Sequence, residues 1–187
     1  SLMNSAQQQL GGSGAWCLAL FNDASAYPHG TNAKQTISEG SVILLDSGCS
    51  VHGYQSDISR TLVFGKASQQ VVDVWNTVRE GQNVAFSAAK IGTPAGKVDD
   101  AVRKYYVTQG YDKDYALPGL SHRTGHGIGM EGHESVNFVR GETTPLNKGM
   151  CFSNEPGLYM TDKAPVYFTE PPESIEKPLG KLVPLRA

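Results

Sequence analysis

Residues 44–61 read LLDSGCSVHGYQSDISRT, and this stretch decides the fold. The apolar run Val42 to Leu45 is a buried strand that stops at Asp46-Ser47-Gly48. Ser59 to Phe64 alternates partly and pairs with it, and Gly53 in His52-Gly53-Tyr54 turns the chain between the two. Such a hairpin brings Asp46 and Asp57 face to face. Facing carboxylates repel unless a cation or a shared proton lies between them. Hard divalent metals take oxygen ligands of this kind. Each acid also has a plainer reading: Asp46 capping a turn through Ser47-Gly48, and Asp57 as a solvated hairpin acid.

Working outward, Ala15 to Phe21 (AWCLALF) is a second apolar strand, bounded by Gly14 and Asn22-Asp23. Residues 22–40 are rich in Asn, Ser, Pro and Gly and read as loop. On the other side Ser68 is an N-cap. Val71, Trp75, Val78, Ala85, Phe86 and Ala89 follow at helical spacing until Gly92-Thr93-Pro94. A second helix is predicted from Val98 to Gln109, with Ala101, Val102 and Tyr105 inward and Gly110 as its stop. Leu117 to Gly141 is too glycine-rich for a helix and reads as a site loop. Met150 to Ser153 and Val166 to Thr169 are further strand candidates. Strands, then helices, then strands favour an α+β fold.

The chain has 187 residues, which sets the expectation of one domain. Its formal charge of −2, with no stripe of Lys or Arg, argues against a nucleic-acid partner. No apolar run approaches the ~20 residues that span a bilayer, so no membrane association is expected. Cys17, Cys49 and Cys151 are odd in number and form no C-x-x-C pair, which suggests reduced thiols and a cytoplasmic protein. Ser1 and Leu2 ahead of Met3 look like a tag scar, and 1–11 is taken as that scar plus a partial N-terminal segment.

His122, His126 and His133 fall within one short run, SHRTGHGIGMEGHE (121–134). Imidazole is the commonest nitrogen ligand, and glycine lets backbone crowd around a packed site. Glu155 sits in SNEPGLY, where Pro156-Gly157 fixes a turn after an apolar strand. A strand-end carboxylate beside a rigid turn suits a ligand or general base, and equally an exposed turn acid. GTPAGK (92–97) is one residue short of a phosphate loop, and Val98 stands where Ser or Thr should bind magnesium.

Three segments, LLDSGCSVHGYQSDISRT, SHRTGHGIGMEGHE and KGMCFSNEPGLY (148–159), together resemble the creatinase, aminopeptidase P, prolidase and methionine aminopeptidase superfamily. They occur in that family's order, and the resemblance runs from about Gly12 to Ile175. It implies the pita-bread fold, a curved, mainly antiparallel sheet backed by helices, over residues 12–187. It also implies two divalent metal ions, manganese, cobalt or zinc. Asp46 would chelate one, Asp57 bridge both, and His126 and Glu155 bind the other. His29 in SAYPHG would contact substrate, His133 would stabilise the oxyanion, His122 would line the cleft, and Glu155 would also handle a proton. A peptide is the expected partner, and a homodimer is left open. The tail TEPPESIEKP (169–178) resembles Xaa-Pro-cleaving members more than methionine aminopeptidases.

The chain departs from the family's pattern in two places. The helical stretch before GGSG (11–14) is largely absent. The family's last motif, an Arg followed by a Glu that bridges the metals, is not found: Arg186 is the sole arginine after Glu155. EPGLY runs straight into YMTDKAPVYFTEPPESIEKP, so an internal segment is expected to be missing, with a chain break, near 157–160. Three alternatives to an Xaa-Pro peptidase remain at this stage: a metal-free pita-bread pseudoenzyme acting as a binding module, a methionine aminopeptidase, and a metal-free amidinohydrolase like creatinase.

Overall fold

A computed structural model describes residues 2–26, 31 and 33–160. His29, the strand candidate Val166 to Thr169 and the tail TEPPESIEKP lie outside the described residues.

The chain begins with helix α1 (Leu2–Gln9), which packs on strand β1 (Ser13–Phe21). Eight residues, Leu2–Gln9, thus form a short helix ahead of GGSG. After a 3₁₀ turn (Asn22–Ala26) and a loop comes β2 (Val42–Val51), the central strand. β1 lies against one edge of β2, while β3 (Tyr54–Gln55) and β4 (Ile58–Val63) lie against the other. All pairings are antiparallel. The pairs Val51 with Tyr54, Asp46 with Ser59 and Val42 with Val63 belong to one unbroken register. The two-residue turn His52-Gly53 sets it, both residues having positive φ as this turn demands.

Two helices cover the sheet. In α2 (Gln69–Ala88) the Ser68 hydroxyl accepts from the Val71 N–H, as the sequence predicts. Its buried spine is Val74, Val78, Gly81 and Ala85. Phe86, expected inward, is 53 % exposed. It follows Ala85 directly, and about 100° of helical rotation separates neighbours, so both cannot face the core. The same shift corrects α3 (Gly96–Thr108): Tyr106 is fully buried, with Val98, Asp99, Val102 and Arg103, while Tyr105 is only half-buried.

Gly81 is the contact point between the helices. A Cβ there would lie 2.4 Å from the Tyr106 hydroxyl. Mid-helix glycine costs about 1 kcal/mol relative to alanine, and here it admits the tyrosine ring. That ring completes a core with Val42, Leu120, Phe138, Leu146 and Leu158. Its hydroxyl donates to the Pro156 carbonyl at 2.8 Å, tying α3 to the turn after Glu155.

The glycine-rich stretch read as a loop folds as a tight ribbon, β5 (Gly125–Gly127) with β6 (Glu134–Phe138). Glycine serves close approach here: a Cβ on Gly125 would sit 2.1 Å from the Ser153 carbonyl oxygen. Residues 151–155 run along the other edge of β5. Ile128 N–H donates to Cys151, Ser153 N–H to His126 and Glu155 N–H to Thr124. The expected strand over Met150 to Ser153 is thus an extended segment with a single bridge, Phe152 to Gly127. The chain is continuous and buried from Pro156 to Tyr159, where Gly119 and Tyr159 exchange two backbone hydrogen bonds of 2.9 Å.

Candidate metal centre

The hairpin register accounts for the first two acids. Asp46 pairs with Ser59, and the same register sets Asp57 across from Gly48, two residues along β2 from Asp46. Residues two apart share a face, and diagonal cross-strand neighbours are in reach of one another. The Ser59 hydroxyl donates to Asp46 Oδ1 at 3.0 Å. Burial, then the Asp57 charge, pushes the Asp46 carboxyl up to about 6, against the Ser59 hydrogen bond.

β5 supplies the imidazole. His126 is 1 % exposed, and its Nε2 lies 3.3 Å from Asp57 Oδ2 and 3.0 Å from Glu155 Oε1. Its Nδ1 faces the Gly127 carbonyl at 2.9 Å. Because a carbonyl only accepts, Nδ1 carries the proton, which leaves Nε2 as the atom that faces the acids and is available to a cation. Burial opposes charging this ring, but the hydrogen bonds to Asp57 and Glu155 outweigh it and raise it to about 9. Glu155 is oriented by the Ser153 hydroxyl at 2.9 Å. Burial resists its charge, yet His126 holds its carboxyl below the usual range.

His133 stands edge-on to His126, ring centroids 4.3 Å apart. Ligand atoms of Asp57, His126 and His133 all lie within 4.8 Å of one another, a spacing that fits a divalent cation. Burial, then the charges of His126 and Arg123, lower the His133 ring, which favours its neutral form. His122 is lowered too, mainly by burial; its Nδ1 donates to the Arg123 carbonyl at 2.6 Å, and its ring edge meets Tyr159 at 5.1 Å. Tyr159 is pushed far up by burial and the Glu155 charge, so it stays a neutral phenol.

Asp46, Asp57, His126, Glu155 and His133 are therefore brought together, with His122 at the margin. Sequence reading missed Ser59, Ser153 and Tyr159. Ser59 was recoverable from the hairpin register, whereas the other two depend on contacts between distant segments.

The donor set fits a hard divalent cation: carboxylates crowded past neutrality, plus one imidazole whose free nitrogen points at them.

The antiparallel sheet backed by helices and this acid-and-imidazole centre define the class. The chain belongs to metallopeptidase family M24, whose pattern matches residues 2–175. It is 37 % identical over 136 residues to an Xaa-Pro dipeptidase of Lactobacillus delbrueckii subsp. lactis, covering 73 % of this chain and 36 % of that protein. Among solved structures, a recombinant prolidase from Thermococcus sibiricus superimposes with a TM-score of 0.80 at 30 % identity, over 89 % of this chain and 44 % of that one. An X-Pro aminopeptidase from Thermotoga maritima gives 0.80 at 28 %, over 88 % and 45 %. The fold is the pita-bread fold of these prolidases, and the chain spans less than half the length of these relatives. Among the described residues, no helix is long and apolar enough to cross a membrane.

Proposed function

We propose that this chain carries the metal centre of a cytoplasmic exopeptidase of the prolidase or aminopeptidase P type, which removes the N-terminal residue from Xaa-Pro peptides. The observation that carries this reading is the convergence of Asp57 and Glu155 on His126 Nε2, with Asp46 and His133 beside them. Asp46, Asp57, His126 and Glu155 would hold two divalent ions, of manganese, cobalt or zinc. Bound there, the ions would supply Lewis acidity and a nucleophile at neutral pH.

The protein's own groups do the rest. The substrate's α-ammonium is drawn to the acids of the centre, which explains a preference for a free N-terminus. His133, neutral, donates to the carbonyl oxygen as charge develops there, typically the largest electrostatic contribution to such a step. Glu155 takes a proton from the attacking water. The C–N bond then breaks, and the proline nitrogen regains a proton. Proline's ring fixes φ and its nitrogen has no N–H when bonded, so a pocket shaped to it selects it over ordinary residues. His29 would contact substrate, and His122 would line the cleft.

The test is elemental analysis of protein purified without chelator, together with turnover of Ala-Pro against N-acetyl-Ala-Pro. Bound metal and hydrolysis of the free amine alone are expected. Equal turnover of the acetylated peptide overturns the exopeptidase reading, and a preference for N-terminal methionine selects methionine aminopeptidase. We further propose that the natural protein has an internal segment after Gly157 carrying the Arg and the second bridging Glu. An intact mass of 20.1 kDa for the natural protein excludes that segment and shifts weight to a binding module without catalysis.

A further inference from the structure

Glu155 stands on an extended segment rather than on a regular strand. Residues 151–155 run along one edge of β5 and make a single bridge to it. The Glu155 carboxylate shares His126 Nε2 with Asp57, and two like charges so placed repel until a cation arrives. The Ser153 hydroxyl orients the carboxylate itself at 2.9 Å, but Ser153 belongs to the same segment and moves with it.

The two helices hold the segment from outside. Gln82 in α2 and Asn154 grip each other reciprocally: Gln82 Nε2 donates to the Asn154 carbonyl at 2.9 Å, and Asn154 Nδ2 donates to the Gln82 carbonyl at 3.0 Å. Tyr106 in α3 donates its hydroxyl to the Pro156 carbonyl at 2.8 Å. The residues on either side of Glu155 are thus tied by their carbonyls, each to a different helix. Both ties start from one place on the helix pair, because Gly81 leaves room for the Tyr106 ring and Gln82 is the next residue.

Fastening a helix to a segment does not need such groups. Apolar contact would do it without taking amides and a phenol out of water. What hydrogen bonds add is direction, and a metal ligand has to be held within ~0.5 Å and ~10–20° of its working geometry. Resting on the peptidase reading above, we propose that Gln82 and Tyr106 are positioning residues of the metal centre. They fix the backbone before and after Glu155, so that its carboxylate stands ready at the place of the cation while that place is still empty and the neighbouring acids repel it. The α2–α3 contact thereby sets how tightly the centre takes its metal, although neither side chain is a ligand.

The test is calorimetric titration with manganese, and the visible spectrum with cobalt bound, for the natural protein and its variants Gln82→Met and Tyr106→Phe. The first keeps the length of the side chain and removes its donor; the second removes only a hydroxyl. Each is expected to weaken manganese binding by ~10–100-fold, the range for partners that orient a metal ligand. Each should also change the cobalt bands, since Glu155 would then meet the ion at an altered angle. Unchanged affinity and unchanged bands in the folded variants, with or without a lowered melting temperature, make the two residues merely structural and overturn the assignment. Should Tyr106→Phe fail to fold, Gln82→Met, at a half-buried site, decides alone. Wild type that binds neither metal overturns the peptidase reading as well, whereas wild-type binding with indifferent variants leaves that reading standing.

Discussion

Two clusters of charge lie close together in this molecule, and they are built on opposite principles. Around Asp99 every demand is met. Its carboxylate accepts from Arg103 Nε at 2.7 Å, Thr124 Oγ1 at 2.7 Å, Thr124 N–H at 3.1 Å and Arg140 N–H at 3.0 Å. Arg103 in turn donates to the carbonyls of Leu120 at 2.7 Å, His122 at 2.6 Å, and Asp114. Around His126, Asp57 and Glu155 share one imidazole, and Asp46 and Glu155 each have a single serine hydroxyl. A buried charge is tolerated when paired and hydrogen-bonded, and is costly otherwise. The first cluster is closed and structural. The second is short of positive charge, which is the condition for holding a cation. They are also connected: Thr124 and the His122 carbonyl belong to the segment that leads into β5 and His126, so the closed cluster fixes where the open one stands.

The sharpest way to break this contrast is Arg103→Leu. It leaves Asp99 buried without its ion partner, a change worth about 3–5 kcal/mol of stability. Denaturant unfolding should show it, and wild-type stability would mean that the closed cluster contributes little. Next is Gly81→Ala, which drives a Cβ into Tyr106 and through it toward Pro156. Overpacking of this kind costs about 1–3 kcal/mol. Thermal melts should detect it, and a rise in melting temperature would show that helix propensity outweighs the clash.

The open cluster should respond in a different sense. Asp57→Asn removes one of the repelling acids, so metal-free stability should change by less than about 1 kcal/mol, within the range of a single exchanged hydrogen bond. Metal affinity should fall by more than the roughly 10–100-fold that outer-shell changes give. Calorimetric titration with manganese showing unchanged affinity would exclude Asp57 as a ligand.

The pH dependence follows from His126. Its folded value of about 9 lies above the ordinary 6.5, so the stability it contributes is complete below pH 6.5 and lost as pH rises through 9. His122 and His133, both lowered, affect stability only below pH 6.5 and so lie outside this window. Metal-free protein should therefore lose stability between pH 7 and 9. Metal-loaded protein should not, because a cation replaces that proton. Parallel slopes with and without metal would argue against a cation at this ring. The smallest effect belongs to Ser59→Ala, which deprives Asp46 of its hydroxyl at a cost of about 1 kcal/mol and should move its carboxyl above about 6. NMR titration of the aspartates reads it.

The sequence by itself determined the hairpin and the facing of Asp46 and Asp57. Strand alternation and the His52-Gly53 turn act over a few residues, so the register needs no outside contact to be deduced. It also marked both helices, the Ser68 cap and the segments bearing His126 and Glu155. Aspartate and arginine at 99 and 103 stand one helical turn apart and were readable as a pair. Their burial was not, because it depends on Thr124 and the 114–122 loop arriving from elsewhere. Tertiary structure alone decided that Ala85 and Tyr106, rather than Phe86 and Tyr105, face inward: each pair is adjacent and apolar, and only Gly81 opposite the tyrosine breaks the tie. It alone turned the glycine-rich stretch into a ribbon, since the close approach of Ser153 to Gly125 comes from another segment. And it alone set Glu155 and Asp57 on either side of one imidazole nitrogen, because that meeting joins three pieces of chain whose separations carry no local signal.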